Sequence, residues 1–138
     1  MRIAALDVGE KRIGVALSDP TGLIATGIET YRCTAPEADL AYLVKRLAEL
    51  GAERVVVGLP RNMDGSEGFQ AQRVRQVGDA LAERIDLPLV YWDERMTSLS
   101  ARQTLRERGV KARQQKGQVD RIAAAYILQH YLDAQGRF

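Results

Sequence analysis

Along the first third of the chain, apolar residues gather in short runs set between polar turns; further on they recur at helical spacing. Ile3 to Leu6 reads as a buried strand that meets an acid, Asp7. Ile13, Val15 and Leu17 alternate with Gly14, Ala16 and Ser18, which predicts a second strand with one bulky and one small face. A tight polar turn, Gly9-Glu10-Lys11-Arg12, joins the two. Asp19-Pro20-Thr21-Gly22 is a further turn signal, and Leu23 to Tyr31 reads as a third strand. Three strands joined by short turns make an antiparallel meander.

Leu40, Leu43, Val44, Leu47 and Leu50 then follow the helical period, and Gly51 supplies the stop. The run Val55-Val56-Val57 is a short buried strand reached through a helical crossover, so it is expected to lie parallel to the first. Gly58 to Gly68 is a polar loop, and Val74, Val77, Leu81 and Ile85 mark a second helix. Leu87 to Trp92 reads as a fifth strand ending in Asp93-Glu94-Arg95. Thr97 or Ser98 can cap a third helix carrying Leu99 and Leu105, which Gly109 ends. Val110 to Gln118 reads as a mobile basic stretch. The last helix is expected from Val119 to Asp133, burying Val119, Ile122, Ala123, Tyr126 and Ile127.

This order predicts one α/β domain over residues 1–138: a five-stranded mixed sheet, meander plus two parallel strands, with helices on both faces. The first strand should be central. The topology reverses beside it, and open α/β sheets bind ligands at the carboxyl ends of strands at such points. Asp7, the loop from Gly58 to Gly68 and Asp93-Glu94 all fall at that edge.

Composition narrows the setting. With 46% hydrophobic and 28% charged residues the chain suits a soluble domain, and no apolar run reaches the ~20 residues that span a bilayer. The N-terminus lacks a signal-peptide pattern, and the single cysteine, Cys33, cannot form an internal disulfide. A cytoplasmic location, away from membranes, is the expectation. The net charge of +2 hides an asymmetry: eight cations against two acids give +6 between Arg95 and Arg121, leaving −4 elsewhere. Such a segment, Arg113 and Lys116 included, can hold a polyanion by its phosphates, although a solvated basic surface has the same composition.

Three acids invite a joint reading: Asp7, Glu94 and Asp120, the last at the expected start of the final helix. Converging within ~4 Å, each pair would repel by roughly 4 kcal/mol at an effective dielectric near 20. A divalent cation removes that cost, and hard oxygen ligands suit Mg²⁺ or Mn²⁺. Two such ions can activate water and stabilise the leaving oxygen of a phosphodiester. Taken singly, Asp7 can instead bond the amides of its turn, Glu94 can pair with Arg95 or Arg12, and Asp120 can serve the helix dipole. Strand alternation lets only one of Asp93 and Glu94 share the face of the other acids, and Glu94 is the one taken. One histidine, His130, leaves little for a histidine metal cluster or a Ser-His-Asp triad. Cys33 reads as a small filler, and Phe69 and Trp92 are too few for a stacking platform.

The segments LDVGEKRIGVALSD, VVVGLPRNMDGSEG, DERMTS and VDRIAAAYILQHYL, in that order and spacing, resemble the YqgF/RuvX family over nearly the whole chain. The resemblance implies a ribonuclease H-like fold and a metal-dependent nuclease, described both as a candidate Holliday junction resolvase and as a processor of the 5′ end of pre-16S rRNA. It implies that Asp7, Glu94 and Asp120 hold the metal ions. It offers Lys11, Arg12, Arg61, Asn62, Arg95, Thr97 and Ser98 for phosphate or RNA contacts. The leading expectation is cleavage of precursor rRNA, with ribosomal particles as partners and a monomer or weak dimer as the working form. A branched DNA junction is the alternative substrate, and a non-catalytic RNA-binding assembly factor the alternative class. A sugar-kinase-like ATPase also begins with a strand, an acid and a glycine hairpin, but needs a second such domain.

Overall fold

A computed structural model describes residues 1–93 and 112–135, with side chains in the last helix from Asp120 onward. The meander forms as its alternation demands: β1 (Ile3–Val8), β2 (Arg12–Ser18) and β3 (Ala25–Arg32). Helix α1 (Pro36–Leu50) crosses to β4 (Arg54–Leu59), and α2 (Phe69–Ala82) crosses to β5 (Leu89–Asp93). The chain closes with α3 (Ala112–Gln135). The sheet order is β3-β2-β1-β4-β5, with β1 central, antiparallel to β2 and parallel to β4. The predicted helix capped by Thr97 or Ser98 and ended by Gly109 lies outside the described residues.

Alternation along the strands splits the core into two layers. Leu6, Ile13, Val15, Val57 and Leu59 point to α1 and α2, where Leu40, Leu43, Leu47, Val74 and Leu81 meet them. Ile3, Ala5, Ala16 and Val56 face α3 and receive Ala124, Ile127, Leu128, Tyr131 and Leu132. Gly51 ends α1 in the left-handed region, φ 69°, where glycine carries no Cβ penalty. At the far end of the sheet the Ser18 hydroxyl accepts from the Ile3 amide at 2.8 Å, satisfying a donor that the ladder leaves over.

Three departures from the sequence pattern concern the edges of elements. Helix α3 begins at Ala112, so Val110 to Gln118 is not the expected mobile stretch but is helical from its third residue. The fully buried stripe of α3 is Ala123, Ala124, Ile127, Leu128, Tyr131 and Leu132; Ile122 and Tyr126 are only half-buried. Strand β3 begins at Ala25 rather than Leu23, leaving Leu23 and Ile24 exposed. There Gln129 of α3 reaches across, donating to the Leu23 carbonyl and accepting from the Ala25 amide, both at 2.9 Å.

Candidate active site

Asp7 lies within β1, one residue before its end, on the face that Ile3 and Ala5 turn toward α3. Its cross-strand partner is Gly14 of β2. A Cβ built on Gly14 would sit 2.0 Å from the carbonyl oxygen of Asp120, so the backbone of α3 rests directly on that glycine. A real Cβ is excluded there, and the position requires glycine for close approach. One strand further out, a Cβ on Gly27 would stand 3.0 Å from the Arg121 carbonyl oxygen and nearer still to its side chain. The two glycines thus form the seat on which Asp120 and Arg121 settle, and the residue paired with Asp7 is the one that touches Asp120.

The turn after Asp7 is tight. The Gly9 amide donates to the Arg12 carbonyl at 2.8 Å, and the Cys33 amide to the Lys11 carbonyl at 2.8 Å. Arg73 of α2 fastens it from the other layer, its guanidinium donating to the carbonyls of Gly9 and Glu10 at 3.0–3.3 Å. Burial pushes the neighbouring Cys33 thiol up; the charges of Asp39 and Asp120 push the same way, and Arg73 opposes them. A half-buried thiol held protonated fits the filler role expected for Cys33.

Beyond β4, the loop from Pro60 to Gly68 is organised by its own side chains. The Asn62 amide donates to the Ser66 carbonyl and the Gly65 amide to the Asn62 carbonyl, at 2.9 and 2.8 Å. Asn62 Nδ2 donates to Ser66 Oγ at 2.9 Å. Glu67 accepts Arg75 Nε at Oε1 and Arg75 Nη2 at Oε2, at 2.6 and 2.8 Å, and Arg61 Nη2 stands 3.6 Å from the same Oε2. Those hydrogen bonds from Arg75 hold the Glu67 carboxyl below its ordinary range.

Of the expected trio, Asp7 pairs across the ladder with Gly14 and the backbone of Asp120 rests on that glycine, while Glu94 lies outside the described residues, as do Arg95, Thr97 and Ser98. Among the described residues no three His, Cys, Asp or Glu side chains cluster as a metal site. Asp93 shares its parity with Leu89 and Tyr91, which pack on the α2 side, opposite the face of Asp7. Lys11 and Arg12 border the acids in the β1–β2 turn; Arg61 and Asn62 stand beyond the end of β4, and Arg113 and Lys116 belong to the first turns of α3. Gly14, Gly27 and Arg73 are absent from the expected set. A glycine inside a strand is a signal of close approach that would have flagged the first two; nothing local marks Arg73.

An acid on the central strand beside a topological switch, with a helix laid across it, belongs to the ribonuclease H-like fold class. The fold is similar to Thermus thermophilus RuvC in complex with Holliday junction substrate, with a TM-score of 0.60 at 18% identity over 98% of this chain and 95% of that one. It is also similar to the Fowlpox virus resolvase in its complex with Holliday junction DNA, with a TM-score of 0.59 at 13% identity over 99% and 100% of the two chains. The chain belongs to the RuvX family, whose model, described as Holliday junction resolvase, matches residues 1–134. A relative in Moorella thermoacetica, named as a candidate pre-16S rRNA nuclease, is 47% identical over 99% of this chain and 98% of its own. One of the same name in Chloroflexus aurantiacus is 47% identical over 96% of this chain and 87% of its own.

Proposed function

We propose that this protein is a metal-dependent nuclease that hydrolyses phosphodiester bonds of structured RNA, with the 5′ end of precursor 16S rRNA as its substrate. Its setting is the cytoplasm, on ribosomal particles. The observation that carries this reading is the contact of Asp120 with Gly14, the cross-strand partner of Asp7. Two acids brought to one patch of a sheet rim are costly unless a cation joins them. Their oxygen donors suit Mg²⁺ or Mn²⁺ better than a soft metal. Asp7, Asp120 and Glu94 would hold the ions; Asp93 shares the α2-side parity of Leu89 and Tyr91, which leaves Glu94 as the third of the resemblance. Bound there, the metal supplies an activated water and a counter-charge for the leaving oxygen.

The chain's own groups do the rest. The ladder to β2 pairs Asp7 with Gly14, and the ladder to β4 holds the chain up to Leu6, so its carboxylate is oriented before substrate arrives. Lys11 and Arg12, in the turn that Arg73 fastens, hold the phosphates flanking the cut, and Arg113, Lys116 and Arg95 extend that grip. No helix among the described residues is long and apolar enough to cross a membrane.

The names of relatives at 42–47% identity support RNA as substrate. The description of the family model favours a second reading, cleavage of branched DNA. Symmetric cutting of a junction needs a dimer, whereas RNA processing works with a monomer. The experiment is incubation of precursor 16S rRNA and of a four-way DNA junction with Mn²⁺, using wild type and Asp7→Asn. Cleavage of the RNA that Asp7→Asn abolishes, while RNA binding survives, is the expected result. Cleavage of the junction alone would transfer the activity to DNA. Binding with no metal-dependent cleavage of either would leave an RNA-holding assembly factor.

A further inference from the structure

Phe69, the first residue of α2, leaves its ring 82% exposed. A large apolar ring in water is costly unless something covers it. By contrast Tyr31 stacks on Tyr42 at 4.2 Å, Trp92 meets Tyr131 edge-on at 5.4 Å, and the Arg75 guanidinium covers Tyr91. Phe69 stands at the mouth of a cleft of about 230 Å³, walled by Arg61, Asn62, Gly68 and Gln70. Small-molecule sites run from roughly 300 to 1,000 Å³, so this one has room for a single planar base rather than a larger ligand.

The walls are chemically uneven. Arg61 keeps a buried Nε that makes no hydrogen bond among the described residues, and its Nη2 only approaches Glu67. Asn62 is committed to Ser66. The cleft therefore offers an apolar ring face beside an incompletely satisfied cation. A stacked base with its phosphate matches that pair of features; an apolar peptide would leave the guanidinium unanswered. The cleft opens at Pro60, directly after β4, and β4 is the ladder neighbour of β1. Because β4 runs parallel to β1, the cleft opens at the same carboxyl edge of the sheet as Asp7.

We propose that this cleft is a subsite for one unpaired nucleotide flanking the bond to be cut, its base stacked on Phe69 and its phosphate held by Arg61. The proposal rests on the nucleic-acid reading above and sharpens it: the substrate carries a single-stranded flank. A paired base keeps its faces inside its own stack and cannot use the ring, whereas an unpaired base of any identity can.

The test is equilibrium binding of fluorescently labelled single-stranded oligouridylate, and of an abasic oligomer of equal length, to the full chain without divalent metal. Phe69→Ala and Phe69→Leu are each expected to weaken oligouridylate binding roughly tenfold, and Phe69→Trp to preserve it. Neither loss should appear with the abasic oligomer. Arg61→Ala should weaken both oligomers and lower the salt slope by about one. Unchanged affinity in Phe69→Ala, or a Phe69→Leu protein that binds like wild type, would overturn the subsite and leave the ring as a protein contact. Because this readout needs neither metal nor cleavage, it separates from the Asp7 experiment: Phe69-dependent binding without any cleavage would support the subsite and remove the nuclease. Asp7-dependent cleavage with Phe69-independent binding would do the reverse.

Discussion

The two faces of the sheet are built to different rules. Toward α1 and α2 the contact layer is made of Leu6, Ile13, Val15, Leu43, Leu47, Leu59 and Leu81, branched side chains buried almost completely. Toward α3 the sheet presents Ala5, Ala16 and the bare backbones of Gly14 and Gly27, and the helix answers with Ala123 and Ala124. On the first face side chains set the distance between layers throughout; on the second, Ile127, Leu128, Tyr131 and Leu132 still pack on the sheet, but at Gly14 and Gly27 backbone meets backbone. The thick layer supplies stability through buried area. The thin one lets the backbone at Asp120 settle on the residue paired with Asp7, a closeness that a layer of leucines would not allow.

Gly14→Val should have the largest effect on turnover. Even a single carbon there collides with the Asp120 carbonyl, so α3 must shift and carry Asp120 away from Asp7. Overpacking of this kind costs ~1–3 kcal/mol. Cleavage by the folded fraction should fall at least a hundredfold, roughly the loss of one well-placed catalytic group. Leu43→Ala is the counterpart on the thick face. Its side chain is fully buried, so unfolding in urea should report a loss of ~2–5 kcal/mol, with cleavage per folded molecule within twofold of wild type. If Leu43→Ala reduced turnover as much as Gly14→Val, the two faces would not differ in kind.

The smallest effect lies at the margin of the thick face. Burial and a hydrogen bond to Glu29, at 2.7–2.8 Å, push the Tyr42 phenol up to about 12. Its unfolded value is near 10, so the folded state holds this proton more tightly. The resulting stability is fully present below pH 10 and is lost as pH rises through 12. Tyr42→Phe should therefore lower stability below pH 10 by roughly 1.5–3 kcal/mol, the worth of a hydrogen bond to a charged group, and flatten the alkaline limb, so that the two proteins converge as pH rises through that range.

How much of this was legible depends on where side chains carry the signal. The strand order follows from alternation and connection rules, and the central place of β1 with Asp7 near its carboxyl end was visible in the pattern. The start of α3 was not, because Ala112 to Gln118 has no apolar stripe, and periodicity cannot register a helix that is polar all round. Further along, Ile122 and Tyr126 look like core residues by hydropathy. The close seat on Gly14 and Gly27 instead turns alanines inward and leaves the larger side chains half out. Arg73 was illegible for a different reason: its partners are backbone carbonyls of Gly9 and Glu10, more than sixty residues away. Leu23 and Ile24 read as strand, but Asp19 captures their amides at 2.8 Å and ends the turn only at Ala25.

The most direct measurement of the central claim is Mn²⁺ binding by calorimetry to wild type, Asp7→Asn, Asp120→Asn and the double variant. Two acids sharing one ion should each weaken binding at least tenfold when changed, and the double variant should lose less than the product of the two single losses. An Asp120→Asn protein that binds Mn²⁺ as tightly as wild type would contradict it.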